Sequence, residues 1–219
     1  MKQTIIGAHA GCEDTVPGSM ENILTALKYK ADLIEVDLRL YEGNVFLSHE
    51  ELDTEHLGQY LKFRDVLEVL SPEKAGLNCD LKDEDVFYEA LKLVREYGME
   101  ERTVFTGEYR IKTEANAKYK YFLNISCMDV DFDTGSINEK EADILIDYWN
   151  RRRDHAMEAF NLNYKTVPPE VRNKLYQAGV RSCYWTVDDP GEIRHMLEDG
   201  VCAMTTHQVA FAMSVRKGI

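Results

Sequence analysis

The chain contains no apolar run approaching the ~20 residues that a membrane-spanning helix needs, so no integral membrane segment is expected. Its opening stretch, from Met1 to His9, turns polar too soon for a secretory signal, and the reading is of a cytoplasmic, soluble protein. Cysteine is sparse: residues 12, 79, 127, 183 and 202 are odd in number, widely spaced and form no Cys-x-x-Cys pair. That excludes a disulfide framework and a zinc cluster. Positive charge is also short. With 26 Lys and Arg against 39 Asp and Glu, the formal net charge is -13, a field that repels polyanions, and no nucleic-acid partner is expected. There is no repeat, linker or low-complexity segment. No Gly-rich phosphate fingerprint follows the first apolar run, which counts against a doubly wound dinucleotide-type sheet.

What remains is an ordinary globular composition, 44% hydrophobic and 30% charged, in 219 residues, which suits one domain spanning 1–219. The acidity is uneven. Residues 1–100 hold 10 Lys and Arg against 21 Asp and Glu, whereas residues 151–219 hold 10 against 8. A bound cation could offset part of the excess in the first half.

Short β-rich runs alternate with longer amphipathic stretches. Strands are predicted over 4–8, 33–40, 45–48, 77–82, 103–106, 121–126, 159–162, 180–187 and 201–205. Helices are predicted over 21–30, 63–70, 83–97, 112–118, 138–152, 168–178 and 190–198. Ser71-Pro72, Gly98, Gly179 and Gly200 punctuate their ends. About eight strand–helix units define a single-domain (β/α)8 TIM barrel without a large insertion, lean beside the ~250 residues typical of that fold.

The ionisable residues fall where a barrel displays its chemistry, at C-terminal strand ends. His9 closes the first strand and His49 the short third one. Glu35 and Asp37 are two apart on a strand, so they share a face with backbones about 7 Å apart and could share one ion. Asp80 and Lys82 repeat that spacing on a later strand. Taken singly, each has a plainer explanation: a strand-end histidine is often structural, and paired acids also occur in structural ion networks. Six complementary groups at the same end of one barrel are harder to explain that way.

These residues carry a resemblance. Ile5-Ile6-Gly7-Ala8-His9-Ala10-Gly11, Glu21-Asn22-Ile23, Ala31-Asp32-Leu33-Ile34-Glu35-Val36-Asp37-Leu38 and Leu47-Ser48-His49-Glu50 are similar, in order and spacing, to the N-terminal signature of the glycerophosphodiester phosphodiesterase family. Leu77-Asn78-Cys79-Asp80-Leu81-Lys82 resembles that family's third ligand strand. Tyr184 to Pro190 and Gly200 to Thr206 resemble its closing strands, while residues 107–165 add little. The resemblance implies Glu35, Asp37 and Asp80 as ligands of a divalent metal, Mg²⁺ or Ca²⁺ by the hardness of oxygen donors. It implies His9 and His49 as acid and base, Lys82 as a phosphate partner and Trp185 as an aromatic wall against the alcohol of a small-molecule phosphodiester. A core indole is the plainer alternative for Trp185.

The chain departs from the family pattern in three places. Ala10 stands where the family has an arginine clamp on phosphate. Asp80 replaces a glutamate. Only 31 positions separate His49 from Asp80, which leaves little room for the family's usual insertion and implies a more open pocket. Two competing functions follow: a phosphodiester-binding barrel with impaired catalysis, and a phosphodiesterase that releases a lyso-phospholipid or sphingolipid head group by cyclisation. Residues 129–135 resemble a calcium loop but misplace its glycine, and Arg151-Arg152-Arg153 reads as a helix terminus answering its dipole.

Overall fold

Eight parallel strands close on themselves in the computed structural model of the chain, which describes residues 3–109, 119–130, 132, 135–152 and 156–218. In chain order the elements are β1 (Ile5–Ala8), α1 (Met20–Lys28), β2 (Leu33–Tyr41), β3 (Asn44–Leu47), α2 (Phe63–Leu70), β4 (Gly76–Leu81), α3 (Val86–Glu96), β5 (Thr103–Gly107), β6 (Lys120–Asn124), α4 (Glu139–Arg151), β7 (Met157–Asn163), α5 (Pro169–Gln177), β8 (Ser182–Trp185), α6 (Pro190–Asp199), β9 (Ala203–Thr206) and α7 (Val209–Gly218). Each strand except β3 pairs in parallel with its neighbours, and pairing of β1 with both β2 and β9 seals the cylinder. This is the expected (β/α)8 barrel. The helix expected over 112–118 falls outside the described residues.

The alternation along β2 decides what faces where. Ile34, Val36 and Leu38 point outward into the layer shared with the helices, among Ile23, Phe63, Leu67 and Leu70. Leu33 points inward and joins Ile5, Val104, Phe122, Ala159, Cys183 and Ala203 in an apolar plug that fills the N-terminal end of the lumen. Barrel interiors are packed rather than hollow. The plug confines polar side chains to the opposite end.

Three elements differ from expectation. The run 45–48 is a strand, but it is antiparallel to β2, with Leu38 opposite Leu47 and Tyr41 opposite Asn44, and it lies outside the cylinder. The strand expected over 121–126 stops at Asn124, because Ile125–Cys127 tighten into a 3₁₀ turn. Helix α7 lacks a local start signal. Its cap comes from far away: the Ala210 amide donates to Glu13 Oε1 at 2.9 Å. No helix among the described residues is long and apolar enough to cross a membrane.

Close approach of backbones sets one glycine. The Arg102 guanidinium caps the C-terminus of α2 by donating to the carbonyls of Leu70 and Ser71, and it also reaches Ala75 O at 2.7 Å. This draws the Arg102 carbonyl so close that a Cβ at Gly76 would meet it at 2.1 Å. Gly76→Ala is expected to cost roughly 1–3 kcal/mol. Gly58→Ala, where a Cβ meets nothing within 4 Å, is expected to stay within about 0.5 kcal/mol. Urea unfolding of the two variants checks the contrast.

Candidate active site

At the C-terminal mouth of the barrel a cavity of about 650 Å³ is lined by His9, Glu35, Asp37, His49, Asp80, Lys82 and Trp185, together with polar residues of β5 to β7. The structure thus brings all seven residues singled out in the sequence into one site.

Parallel register gathers the acids. Glu35 lies opposite Asn78, and Asp37 opposite Asp80, on the adjacent strands β2 and β4. Carboxylate oxygens of Glu35, Asp37 and Asp80 lie within 4.8 Å of one another. Glu35 and Asp37 are buried. The Asn78 amide donates to Glu35 at 2.9 Å, and Thr106 donates to Asp80 at 3.3 Å. Lys82 sits between the other two acids, its Nζ 3.1 Å from Asp37 and 2.7 Å from Asp80. One ammonium faces three acids. Burial pushes the Glu35 carboxyl up to about 8, and the Asp80 and Asp37 charges push in the same direction against the Asn78 hydrogen bond. Burial also holds Asp80 above its ordinary range despite Lys82. For Lys82, burial weighs against the charge, yet the two aspartates keep its ammonium above its usual value. Three hard oxygen donors that crowd one another in this way could hold a dication such as Mg²⁺ or Ca²⁺.

The histidines reach the cavity by different routes. His9 leaves β1 with its amide donating to Thr206 O at 3.0 Å, and its ring Nδ1 donates to Ala10 O at 3.1 Å. Because a carbonyl can only accept, that bond fixes the proton on Nδ1 and leaves Nε2, 3.5 Å from Glu35, as the free nitrogen. His49 does not end a barrel strand, as its sequence position implied. The β2–β3 hairpin carries it back over the mouth, anchored where Ser48 N donates to Asp37 O at 3.0 Å. Its Nδ1 meets the exposed Glu50 carboxylate at 2.9 Å, so Nε2 is again the free nitrogen.

Two supporting groups were given no role from the sequence, although Asn22 stands in the Glu21-Asn22-Ile23 run that carries the resemblance. The side-chain oxygen of buried Asn22 accepts from the amides of Gly11 and Cys12 and from the Thr15 hydroxyl, pinning the loop that follows His9. Gly11 takes a positive φ of 87° there. The second group is His207, whose ring lies 4.5 Å from that of His9. Asp188 grips it twice, accepting from the His207 ring at 2.8 Å and from its amide at 2.8 Å. Burial opposes the Asp188 charge, but these bonds hold its carboxyl below the usual range. The Glu21-Asn22-Ile23 run marks Asn22 in the sequence, but the contacts of both groups show only in three dimensions, since each partner lies on another element. Ala10 is buried beside this loop. Arg151 pairs with Asp147 at 2.7 Å and Arg152 stacks over Trp149, so both answer to their own helix. Arg153 and part of the calcium-like loop lie outside the described residues.

The fold and site define a class: a (β/α)8 barrel with an acid cluster and two histidines at its C-terminal rim. Across its whole length the chain resembles the glycerophosphodiester phosphodiesterases. A curated relative of that name from Caldanaerobacter subterraneus subsp. tengcongensis is 24% identical, covering 99% of each chain. Among solved structures, a putative glycerophosphoryl diester phosphodiesterase from Agrobacterium tumefaciens superposes with a TM-score of 0.76 at 14% identity, covering 99% of this chain and 98% of that one. A phosphodiesterase from Oleispira antarctica, in complex with the product sn-glycerol-3-phosphate, superposes with a TM-score of 0.72 at 13% identity over 98% of this chain and 97% of its own. These structures share the fold. No family model matches the chain.

The raised Glu35 carboxyl has a thermodynamic consequence. From about pH 4.5, its ordinary value, up to about 8, the folded state retains a proton that the unfolded chain has released, so stability declines as pH rises through that window. Thermal melts of metal-free protein from pH 5 to 8 should show this decline. Glu35→Gln should flatten it, and millimolar Mg²⁺ or Ca²⁺ should raise the melting temperature most at the alkaline end.

Proposed function

We propose that the protein is a metal-dependent phosphoric diester hydrolase that cleaves a glycerophosphodiester, or a related alcohol-linked phosphodiester, into a phosphomonoester and an alcohol. The carrying observation is the convergence in one cavity of two histidines and three carboxylates with one lysine. The full-length relative with that activity in its name supports the choice of substrate.

In this reading Glu35, Asp37 and Asp80 would hold a divalent cation, Mg²⁺ or Ca²⁺, which would supply Lewis-acid polarisation of the phosphoryl oxygens and offset developing negative charge. Lys82, between Asp37 and Asp80, contributes a fixed positive charge toward the same oxygens. His9 and His49 present free Nε2 atoms. One ring, neutral and with Nε2 free, takes the proton of the attacking oxygen, while the other must enter the step with both nitrogens protonated and gives its Nε2 proton to the departing alkoxide as the bond to phosphorus breaks. Trp185, at the end of β8, forms an apolar wall for the alcohol. Asp188 holds His207, and His207 backs the His9 ring, so that its orientation does not depend on substrate. Substrate small enough for a cavity of this size is a soluble diester or a single head group.

His9→Ala and His49→Ala are each expected to lower kcat by ~10² to 10⁴-fold with a divalent ion present. Unchanged turnover in both would end the proposal. Chelation should abolish turnover, and Mg²⁺ or Ca²⁺ should restore it. Ala10 leaves the site without the arginine clamp of the related enzymes and favours a second reading, a binding barrel. Tight diester binding without turnover would select it. Phosphorus NMR of early products separates attack by water, which yields a phosphomonoester directly, from attack by a neighbouring hydroxyl of the substrate, which yields a cyclic phosphate.

A further inference from the structure

The two histidines are held by unlike means. His9 directly follows a barrel strand, whereas the His49 side chain is 64% exposed at the end of a hairpin outside the cylinder. An exposed imidazole on a loop samples many positions, and ordering it within reach of phosphorus costs entropy that the fold has to supply in advance. The contact of its ring with Glu50 cannot do this, because Glu50 is the next residue on the same loop and moves with it. What fixes His49 against the acids has to come from the cylinder.

Arg39 supplies that link. Glu35, Asp37 and Arg39 alternate along β2 and share one face, and Arg39 lies where the strand has passed the acids and pairs with Phe46 of β3. Its guanidinium uses both arms: Nη2 donates to the His49 carbonyl at 3.0 Å, and Nη1 donates to Asp83 Oδ1 at 2.7 Å. Asp83 is itself tied down, its Oδ2 accepting from the Leu40 amide at 2.7 Å. It follows Lys82, whose own amide donates to Leu38 O at 3.0 Å. One planar fork therefore spans from the end of β4, which carries Lys82, to the main chain of His49. Among the described residues no other hydrogen bond holds the His49 main chain. Neither Arg39 nor Asp83 lines the cavity, so they reach the reacting atoms only through the groups they hold.

We propose that Arg39, oriented by Asp83, is a positioning residue that sets the place of the His49 ring relative to the acid cluster and Lys82. Without it the hairpin stays near the mouth, tethered by Ser48 N on Asp37 O, but the His49 carbonyl is free to turn and the ring turns with it. Lysine cannot replace it. A single ammonium keeps the ion pair with Asp83 but lacks the fork that reaches His49 at the same time. Proton transfer is sensitive to such a change, because a displacement of about 1 Å can cost ~10² in rate. The inference rests on the phosphodiesterase reading and adds to it a residue outside the cavity.

The test compares Arg39→Lys with the wild type on glycerophosphoglycerol and bis(p-nitrophenyl) phosphate with Mg²⁺ present. The substitution should lower kcat by roughly 10- to 100-fold and change KM by less than about twofold, while Mg²⁺ affinity, read by calorimetry, stays at the wild-type value. Asp83→Asn, which loosens the fork without altering Arg39, should reproduce the pattern. In a His49→Ala background Arg39→Lys should have no further effect on kcat, since the ring it places is gone. An undiminished kcat in Arg39→Lys, or an equal loss with and without the His49 ring, would overturn the assignment. Weakened Mg²⁺ binding would overturn it too, by making Arg39 a support of the acid cluster. If the wild type cleaves neither diester, the phosphodiesterase reading fails by itself, and the positioning role is read by hydrogen exchange. Amides 48–50 should then exchange roughly 10-fold faster in Arg39→Lys with β2 and β4 unchanged, and equal rates at 48–50 refute it.

Discussion

Three acids crowded into a space under five ångströms across are what the rest of the molecule has to accommodate. Carboxylates so close repel, and the fold tolerates them because several features act together. The β2–β4 register holds Asp37 against Asp80, Lys82 inserts one positive charge, and Asn78 and Thr106 donate hydrogen bonds. Beneath them lies a plug of apolar side chains, Val104, Phe122, Ala159, Cys183 and Ala203 among them, which leaves the charged groups to the mouth. Electrostatic tension is thereby concentrated at one end of the barrel, where a doubly charged ion has most to offer.

Closure of the cylinder is the second requirement. His9 leaves a strand whose partners are β2 on one side and β9 on the other, so its place is settled only when the last strand docks. The end of the chain reinforces the junction. Arg216 of α7 holds Asp32 and the Thr4 carbonyl, Glu13 caps that helix, and His207 lies against His9. Groups from both ends of the polypeptide therefore share responsibility for one imidazole ring.

Much of this was legible from local pattern. The inward placement of Glu35 and Asp37 follows from strand alternation, and the Asp80–Lys82 spacing followed the same rule on β4. Helix α2 matched its expected bounds because Ser71-Pro72 marks its stop. Legibility ended where distant segments decide the outcome. Helix α7 has its cap near the start of the chain, so nothing beside Val209 announces it. The antiparallel course of β3 depends on pairing with β2, and the apolar run at 45–48 is equally compatible with a barrel strand. The Asp188–His207–His9 contacts and the Arg39 bridge from Asp83 to His49 are likewise relations between elements, absent from any window of sequence.

The hairpin that delivers His49 adds nothing to barrel closure. Its tip, at Glu42 and Gly43, takes left-handed backbone angles, and a side-chain carbon added at Gly43 would touch nothing within 4 Å. The acid cluster and the His9 ring thus sit on strands of the cylinder, whereas His49 is carried by a hairpin outside it, seated through Ser48 N on Asp37 O and through Arg39 on His49 O. A change in that hairpin's length would move the His49 imidazole relative to the acids while leaving the strands that carry them in register.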